Sequence, residues 1–85
     1  MAKNDPVPEL RNPPKVGDVY RHYKGDDYRV QALALDTVTR QWVVVYEPLY
    51  ESNAALFTRP LSEWNEAVDW DGEQATRFMQ VQGAN

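Results

Sequence analysis

The chain has 85 residues, which is enough for one hydrophobic core, so we expect a single folded domain. Apolar residues make up 42% and charged residues 26%, a usage that excludes a chain disordered throughout. The 9 basic and 13 acidic residues give a net charge of −4, which argues against a protein dedicated to duplex nucleic acid, because such proteins present a basic face to phosphates.

Proline dominates the first segment of the chain. Residues 1–14 contain four of the six prolines, whose fixed φ angles favour an extended polyproline II conformation. We therefore expect a flexible proline-rich leader over residues 1–14, a single β domain over residues 15–81 and a frayed tail over residues 82–85.

A β-hairpin is predicted at the start of the domain. Val16 to Tyr23 alternates its side chains between two faces, and Tyr28 to Leu35 supplies the second arm. The segment Lys24-Gly25-Asp26-Asp27 between them is a turn sequence, because Gly25 adopts a positive φ at little cost and Asp tolerates turn conformations.

Two further strands are predicted after a turn at residues 36–40. Gln41 to Glu47 is rich in β-branched and aromatic residues, and its apolar stretch Trp42 to Tyr46 is typical of a central strand. This strand should end near Pro48, which cannot donate a hydrogen bond to a ladder. A fourth strand is predicted at Ala55 to Arg59.

The last part of the chain predicts a helical turn and one more strand. Ser62 to Glu66 has the composition of a short helical turn with Ser62 as its N-cap. Asp71-Gly72 predicts a turn that leads into a strand at Thr76 to Val81, with Phe78 as its core anchor.

Together these elements predict a mainly β fold. Four to five short strands with one short helical turn indicate a small bent antiparallel sheet, closing toward an SH3-like barrel. The alternative is an open α+β arrangement in which residues 61–70 form a longer helix across the sheet. In either fold, a chain of this size needs most of its large apolar side chains in the core. The core candidates are Trp42, Tyr46, Phe57, Trp64 and Phe78.

Several segments are similar to one bacterial family. The opening segment reads Gly17-Asp18-Val19-Tyr20-Arg21-His22-Tyr23-Lys24-Gly25, and the later segments are Tyr28-Arg29-Val30, Val43-Val44-Val45-Tyr46, Leu49-Tyr50, Arg59-Pro60-Leu61, Asp71-Gly72 and Arg77-Phe78. Over roughly residues 16–79 the chain thus resembles a family of small uncharacterised bacterial domains, domain of unknown function 1653, which opens on Gly-x-x-Tyr-Arg-His-Tyr-Lys-Gly. The resemblance implies one compact bacterial domain and no particular substrate, cofactor or activity.

The chain departs from the family pattern at two places. It has Leu35-Asp36-Thr37 where relatives tend to carry a turn similar to His-Ser-Glu-Thr, and Leu56-Phe57-Thr58 where a Trp commonly precedes Arg-Pro. If the function of the family needs that second His, the function is altered in this member.

The composition bears on cofactors and location. No cysteine is present, so disulfides, thiolate metal ligands and a cysteine nucleophile are excluded, and the composition fits a reducing cytoplasm. The stretch Trp42 to Tyr46 is far too short to cross a bilayer, and the N-terminus has no apolar signal segment. We expect a cytoplasmic protein with no cofactor, no metal ion and no membrane association.

Charge divides the sequence into two parts. Residues 15–40 carry five basic and four acidic side chains, a net charge of +1, whereas residues 41–85 carry two basic and seven acidic side chains, a net charge of −5. Leu61 to Glu73 alone has five acids and no base. The first hairpin is therefore the part that favours an anionic partner.

Aromatic and basic residues interleave on this hairpin, and this combination can stack on planar groups and hold an anion or a carboxylate. We expect a non-enzymatic recognition module that binds a protein partner or a small anionic ligand there. The predicted ligand-binding residues are Tyr20, Arg21, His22, Tyr23, Lys24, Tyr28, Arg29, Tyr50 and Arg59. The purely structural interpretation is that the tyrosines complete the core while the cations stay in solvent or pair with Asp26 and Asp27.

Three other functions are compatible with the sequence. Single-stranded nucleic acid could stack its bases on the tyrosines, although the negative net charge of the chain disfavours its binding. A small enzyme or enzyme subunit could use His22 with Glu47 or Glu51 as acid and base, although no catalytic motif is assembled around it. An exposed edge strand could pair with a second copy, so the expected state is a monomer or a weak homodimer.

Overall fold

Segments rich in Val, Tyr and Trp build an antiparallel sheet of five strands in the computed structural model, which describes residues 6–82. A separate two-stranded hairpin and one helical turn complete the described part. The elements are β1 (Val19–His22), β2 (Asp27–Leu35), β3 (Trp42–Pro48), β4 (Phe57–Pro60), α1 (Leu61–Trp64), β5 (Ala67–Trp70), β6 (Glu73–Thr76) and β7 (Phe78–Gln82). The mainly β class predicted from the sequence is confirmed.

The main sheet is open rather than closed into a barrel. Its strand order is β4-β3-β2-β1-β7, so β4 and β7 form the two edges within the described residues. Closure would require these edges to pair. Instead, the buried side chains Leu61 and Trp64 of α1 cover the core, which supports the bent-sheet form of the prediction and not the barrel.

The first hairpin forms where the sequence predicts it. β1 and β2 pair with Tyr20 opposite Tyr28 and Arg21 opposite Asp27. Gly25 has a φ of 113°, and its N–H donates to the carbonyl of His22 at 2.7 Å. This positive φ is the reason that a glycine is needed in the turn.

The alternative arrangement with a longer helix over residues 61–70 is not the one that forms, and a short helical turn is present instead. α1 ends at Trp64, and the next residues form β5, which pairs with β6. The connecting Asp71-Gly72 has φ angles of 50° and 93°, as a two-residue hairpin turn requires. The N-cap position belongs to Pro60, and no side chain caps the helix, so the prediction of Ser62 as the cap is wrong.

The core lies between one face of the sheet and α1. Of the predicted core residues, Tyr46, Trp64 and Phe78 are buried, and Trp42 and Phe57 are partly buried against them. Trp64 stacks on Phe78 with ring centroids 3.7 Å apart and an interplanar angle of 3°. Because a helix of four residues cannot persist alone, burial of Trp64 is what holds α1 on the sheet.

The described part of the leader, residues 6–14, runs along the folded domain without joining a strand. Pro14 is buried, and hydrogen bonds from domain side chains reach the carbonyl oxygens of this segment. Residues 1–5 of the predicted leader and 83–85 of the predicted tail lie outside the described residues, whereas Gln82 is the last residue of β7. Within residues 6–82, no helix is long and apolar enough to span a membrane.

Candidate functional site

The structure divides the predicted binding residues between the two faces of the first hairpin. Because side chains alternate along a strand, Tyr20 and His22 face the core and Arg21 faces the other way. Arg21 makes two hydrogen bonds to the Asp27 carboxylate at 2.8 and 3.2 Å, which lower the pKa of Asp27. Arg29 donates to the carbonyl of Gly17 at 2.7 Å. On this outer face the structural interpretation holds for Arg21, since its partner is Asp27.

On the inner face, Tyr28 lies at the centre of an aromatic cluster. Its hydroxyl is 3.0 Å from that of Tyr50, and burial together with this hydrogen bond raises the pKa of Tyr28. Edge contacts surround its ring, with centroids 5.1 to 6.4 Å away. These contacts are with Tyr46, Tyr50, Phe57 and Phe78. The faces of the Tyr28 ring are thus committed to packing against other rings.

His22 lies at the edge of this cluster. Its ring centroid is 4.9 Å from that of Phe78 and 4.7 Å from that of Tyr23. The Nδ1 atom accepts a hydrogen bond from the backbone N–H of Lys24 at 3.1 Å, so in the neutral imidazole the proton is on Nε2, which is a donor.

The surroundings of His22 are electrostatically positive. Burial lowers the pKa of His22, and the nearby charges of Arg59, Arg77 and Lys24 lower it further, in that order, while Asp26 opposes them. A lowered pKa keeps the imidazole neutral at pH 7. Each of the three cations thus disfavours a charged imidazole, although Arg59 and Arg77 are themselves ion-paired with Glu63 and Glu66.

Two arginines reach this place from later parts of the chain. Arg59 has its Cζ 5.8 Å from the Phe78 ring centroid and its Nη1 3.5 Å from the Glu63 carboxylate. Arg77 has its Cζ 5.7 Å from the Tyr23 ring centroid, and its Nε donates to the Glu63 carbonyl at 3.1 Å. The Nη2 atom of Arg77 contacts the Glu66 carboxylate.

The two guanidinium groups differ in how well their donors are satisfied. Arg77 has partners for Nε and Nη2, whereas the Nε of Arg59 is buried and has no hydrogen-bond partner within residues 6–82. We call this arrangement the His22 site. Its members are His22, Tyr23, Lys24, Arg59, Arg77 and Phe78.

The His22 site includes two residues that the sequence prediction did not name, Arg77 and Phe78. Both belong to one of the segments that resemble the family, and Phe78 was predicted from the sequence only as a core residue. Of the predicted residues, Tyr28 and Tyr50 border the site, and Arg21 and Arg29 lie away from it. Tyr20 also lies elsewhere, since its hydroxyl accepts the backbone N–H of Lys15 at 3.0 Å.

Tyr20 contributes instead to an open pocket of about 310 Å³ beside the edge strand β7. Its floor is the Tyr20, Trp64 and Phe78 cluster, and none of its lining residues is charged. The remaining lining residues are Asn12, Pro13, Pro14, Asn65, Thr76, Met79 and Gln80. The pocket therefore suits an uncharged group, in contrast to the His22 site.

The acid and base pair of the enzyme alternative is not assembled. Glu47 is paired with Arg29 across the sheet, and its carboxylate accepts a hydrogen bond from Gln31 at 3.1 Å, on the face away from His22. Glu51 is exposed. Among residues 6–82, no carboxylate hydrogen-bonds to His22, and no group of three or more metal-ligating side chains is placed to hold an ion.

Comparison with known proteins supplies a family. Residues 18–80 match the family described as protein of unknown function, DUF1653. The fold is similar to the crystal structure of a protein belonging to DUF1653 from Bordetella bronchiseptica, with a TM-score of 0.71 and 41% sequence identity. That similarity covers 81% of this chain and 90% of the other. No curated protein matches this chain.

Proposed function

We propose that this chain, which belongs to the DUF1653 family of proteins of unknown function, is a cytoplasmic, non-enzymatic recognition module. It binds a small anionic group, a carboxylate or a phosphate, at the His22 site. The group is either part of a partner protein or a free ligand. The domain itself acts as a monomer or a weak homodimer.

The observation that carries this proposal is the buried, unpartnered Nε of Arg59. A buried donor without an acceptor costs about 1–3 kcal/mol, because its hydrogen bonds to water are lost and not replaced. The contact between Nη1 and Glu63 at 3.5 Å is too long to satisfy the guanidinium well. Because solvent cannot reach this atom, the Arg59 side chain must shift to expose it, and an oxyanion bound there would then supply the missing acceptor through a charge-assisted hydrogen bond.

Three cations lie near His22, although Arg59 and Arg77 are also ion-paired with Glu63 and Glu66. Lys24, Arg59 and Arg77 all act on His22, and their effect exceeds that of Asp26. The neutral imidazole adds an Nε2–H donor to the guanidinium donors. Donors of this kind, held on the rigid rings of Tyr23 and Phe78, are the usual means of recognising carboxylates and phosphates.

The segments that resemble the family also meet here. His22, Tyr28, Tyr46, Arg59 and Phe78 come from five different segments of that resemblance, yet their rings and the Arg59 guanidinium are in contact through one cluster. The resemblance therefore covers the residues that build the proposed site and is not confined to the hairpin alone.

An NMR titration tests the proposal. The ¹⁵N-labelled protein is titrated separately with acetate, inorganic phosphate, an acidic peptide and a mixed-sequence single-stranded oligonucleotide. We expect saturable shifts of His22, Lys24 and the Arg59 Nε–H with at least one of the first three. Arg59→Gln should abolish these shifts, whereas the charge-matched Lys15→Gln should leave them unchanged, since the Lys15 side chain lies outside the site.

Two further results decide between the alternatives. If Arg21→Gln removes the binding as completely as Arg59→Gln, the outer face of the hairpin is the site and the proposal is wrong. If only the oligonucleotide binds, and its affinity falls steeply with salt, the protein is a single-stranded nucleic-acid binder instead. The absence of any saturable shift at the His22 site would refute anion recognition.

A further inference from the structure

A second recognition surface lies where the leader meets the folded domain, apart from the His22 site. Three side chains of the domain donate hydrogen bonds to carbonyl oxygens of the leader. The pairs are Arg40 with Pro6 at 2.6 Å, Trp42 with Pro8 at 2.8 Å, and Asn65 with Arg11 at 3.2 Å and with Asn12 at 3.1 Å. We call the surface formed by Arg40, Trp42 and Asn65 the leader groove.

The leader groove contacts the main chain of the leader more than its side chains. Val7 and Leu10 are 53% and 38% exposed, so among the apolar side chains of the leader it is Pro14, which is buried, and Pro8, which is half-buried, that pack against the domain. Carbonyl oxygens are present in every residue. A groove that contacts carbonyl oxygens accepts any chain that presents them at the same spacing, and its use is not limited to this leader.

The chemistry of the groove matches a proline-rich chain in particular. The Arg guanidinium and the Trp indole N–H can only donate, and Asn65 donates through its Nδ2. A chain rich in proline has few N–H groups that need acceptors, and in the polyproline II conformation its carbonyl oxygens point outward and make no internal hydrogen bonds. Donor side chains beside a Trp ring are thus complementary to such a chain.

The groove continues toward the uncharged pocket beside β7. Asn65 belongs to both, and Asn12, Pro13 and Pro14 form one wall of the pocket. Because residues 12–14 belong to the leader, a peptide that replaces the leader would have to supply this wall with uncharged side chains of its own.

We propose that the leader groove binds an extended, proline-rich segment of another polypeptide, in exchange with residues 6–14 of this chain. The leader then acts as an intramolecular competitor. A tethered segment has an effective concentration on the order of millimolar, so a peptide in trans must reach that range before it displaces the leader. Loosening the leader should correspondingly strengthen binding in trans.

The experiment uses the full chain and a synthetic peptide with the sequence of residues 3–14. The ¹⁵N-labelled protein is titrated with the peptide to about 10 mM while the Trp42 Nε1–H and Asn65 side-chain amide resonances are followed. We expect saturable shifts of both. A control peptide in which alanine replaces all four prolines should bind at least about fivefold more weakly, because it loses its preformed extended conformation.

Two full-chain variants give opposite expectations. Trp42→Phe keeps the ring but removes the indole donor, and the peptide affinity measured at Asn65 should fall about fivefold, which corresponds to one hydrogen bond. The double substitution Pro6→Gly with Pro8→Gly loosens the leader, so the affinity should rise about fivefold or more. Dispersed amide spectra of each variant confirm that the domain is folded.

Three results would overturn the proposal. They are the absence of a saturable shift in the wild-type and the double variant, equal binding of the proline-free peptide, and equal affinity in Trp42→Phe. Sedimentation at the same protein concentrations supplies a fourth. A mass that doubles with concentration in the wild type but not in Trp42→Phe would show that a second copy fills the groove, which overturns the assignment to a different polypeptide.

Discussion

Replacing each of two neighbouring arginines by methionine separates a binding residue from a structural one. Arg59 and Arg77 both lie over an aromatic ring, at 5.8 and 5.7 Å from its centroid, and both contact a glutamate of the segment that follows β4. They differ in the Nε atom, which is unpartnered in Arg59 and bonded to the Glu63 carbonyl in Arg77. Arg77→Met is therefore a matched control for Arg59→Met.

The favourable and unfavourable contributions to stability that Arg59→Met removes nearly cancel. The substitution removes a cation–π contact of about 1 kcal/mol and an ion pair spaced i,i+4 of about 0.3–0.5 kcal/mol. It also removes the cost of the buried Nε, about 1–3 kcal/mol, and the methionine sulfur keeps a contact with Phe78. We expect the free energy of unfolding to stay within about 1 kcal/mol of wild type.

Arg77→Met should behave differently because its donors are satisfied. It removes the hydrogen bond from the charged guanidinium to the Glu63 carbonyl, which contributes about 1.5–3 kcal/mol. It also removes the ion pair with Glu66, which contributes less than about 1 kcal/mol because that carboxylate is 55% exposed. The side chain of Arg77 is only 18% exposed. We expect a loss of about 2 kcal/mol in the free energy of unfolding.

Urea denaturation followed by circular dichroism measures both variants, with the midpoint giving the stability change as long as the slope m is unchanged. We also expect Arg59→Met to lose anion binding, which titrations of the folded variant with phosphate and acetate measure. If Arg59→Met loses more than about 2 kcal/mol, or as much as Arg77→Met, the unpartnered Nε is not a cost and Arg59 is an ordinary structural anchor.

Three further predictions concern the core and the titrating groups. Trp64→Ala should lower the free energy of unfolding by about 3–5 kcal/mol in a urea titration. Val38→Ala, at a position that is 90% exposed, should change it by less than about 0.5 kcal/mol. Similar losses in the two variants would refute the role of Trp64 in the core. Because the pKa of His22 is lowered on folding, the unfolded chain takes up that proton first, so stability should fall as the pH drops below about 6.5. In His22→Gln this part of the pH dependence of the urea midpoint should be absent, and its persistence would show that another group causes it. Tyr50→Phe should lower the pKa of Tyr28 toward its ordinary value in a spectrophotometric titration. The pKa should not be fully restored, because burial is the larger cause of its shift. An unchanged pKa would contradict the hydrogen bond between the two hydroxyls.

Local sequence patterns predicted most strands because the signals for those strands are local. The positive φ of Gly25 and the alternation on both sides of it place β1 and β2 within a few residues. The β5–β6 hairpin was missed because Glu73–Thr76 has few β-branched or aromatic residues. Its pairing depends on the Asp71-Gly72 turn and on Trp70, whose indole N–H donates to the Thr76 carbonyl at 2.7 Å.

The helix and the leader show where tertiary contacts override local signals. Ser62 is a good N-cap by type, yet α1 begins one residue earlier because Leu61 and Trp64 are the side chains buried against the sheet. The proline content of the leader predicts an extended chain, whereas its hydrogen bonds come from Arg40 and Trp42, about 34 residues away. No pattern within the leader could indicate those partners.

The predicted binding residues lie on two faces of the hairpin for a geometric reason. Interleaved aromatic and basic residues look like one surface in a sequence, but the alternation of a strand sends them to two faces. Arg21 thus meets Asp27, and His22 meets Phe78 and the cations that arrive from β4 and from residue 77. Two of the three cations at the His22 site, Arg59 and Arg77, are therefore contributed by long-range contacts, which an alternating pattern cannot indicate.

The unpartnered Nε of Arg59 is the deviation from good packing that is informative about function. For 85 residues, a total stability of roughly 4–13 kcal/mol is typical, so an unpartnered donor costing about 1–3 kcal/mol is a substantial fraction of it. Asp27, Gln31 and Glu66 show that this domain readily supplies partners for polar side chains elsewhere. Violations of the local rules in a folded domain concentrate at functional sites, where the missing partner is a ligand. The Arg59 Nε is such a violation, and it lies in the one described place where the charges of Lys24, Arg59 and Arg77 together act on His22.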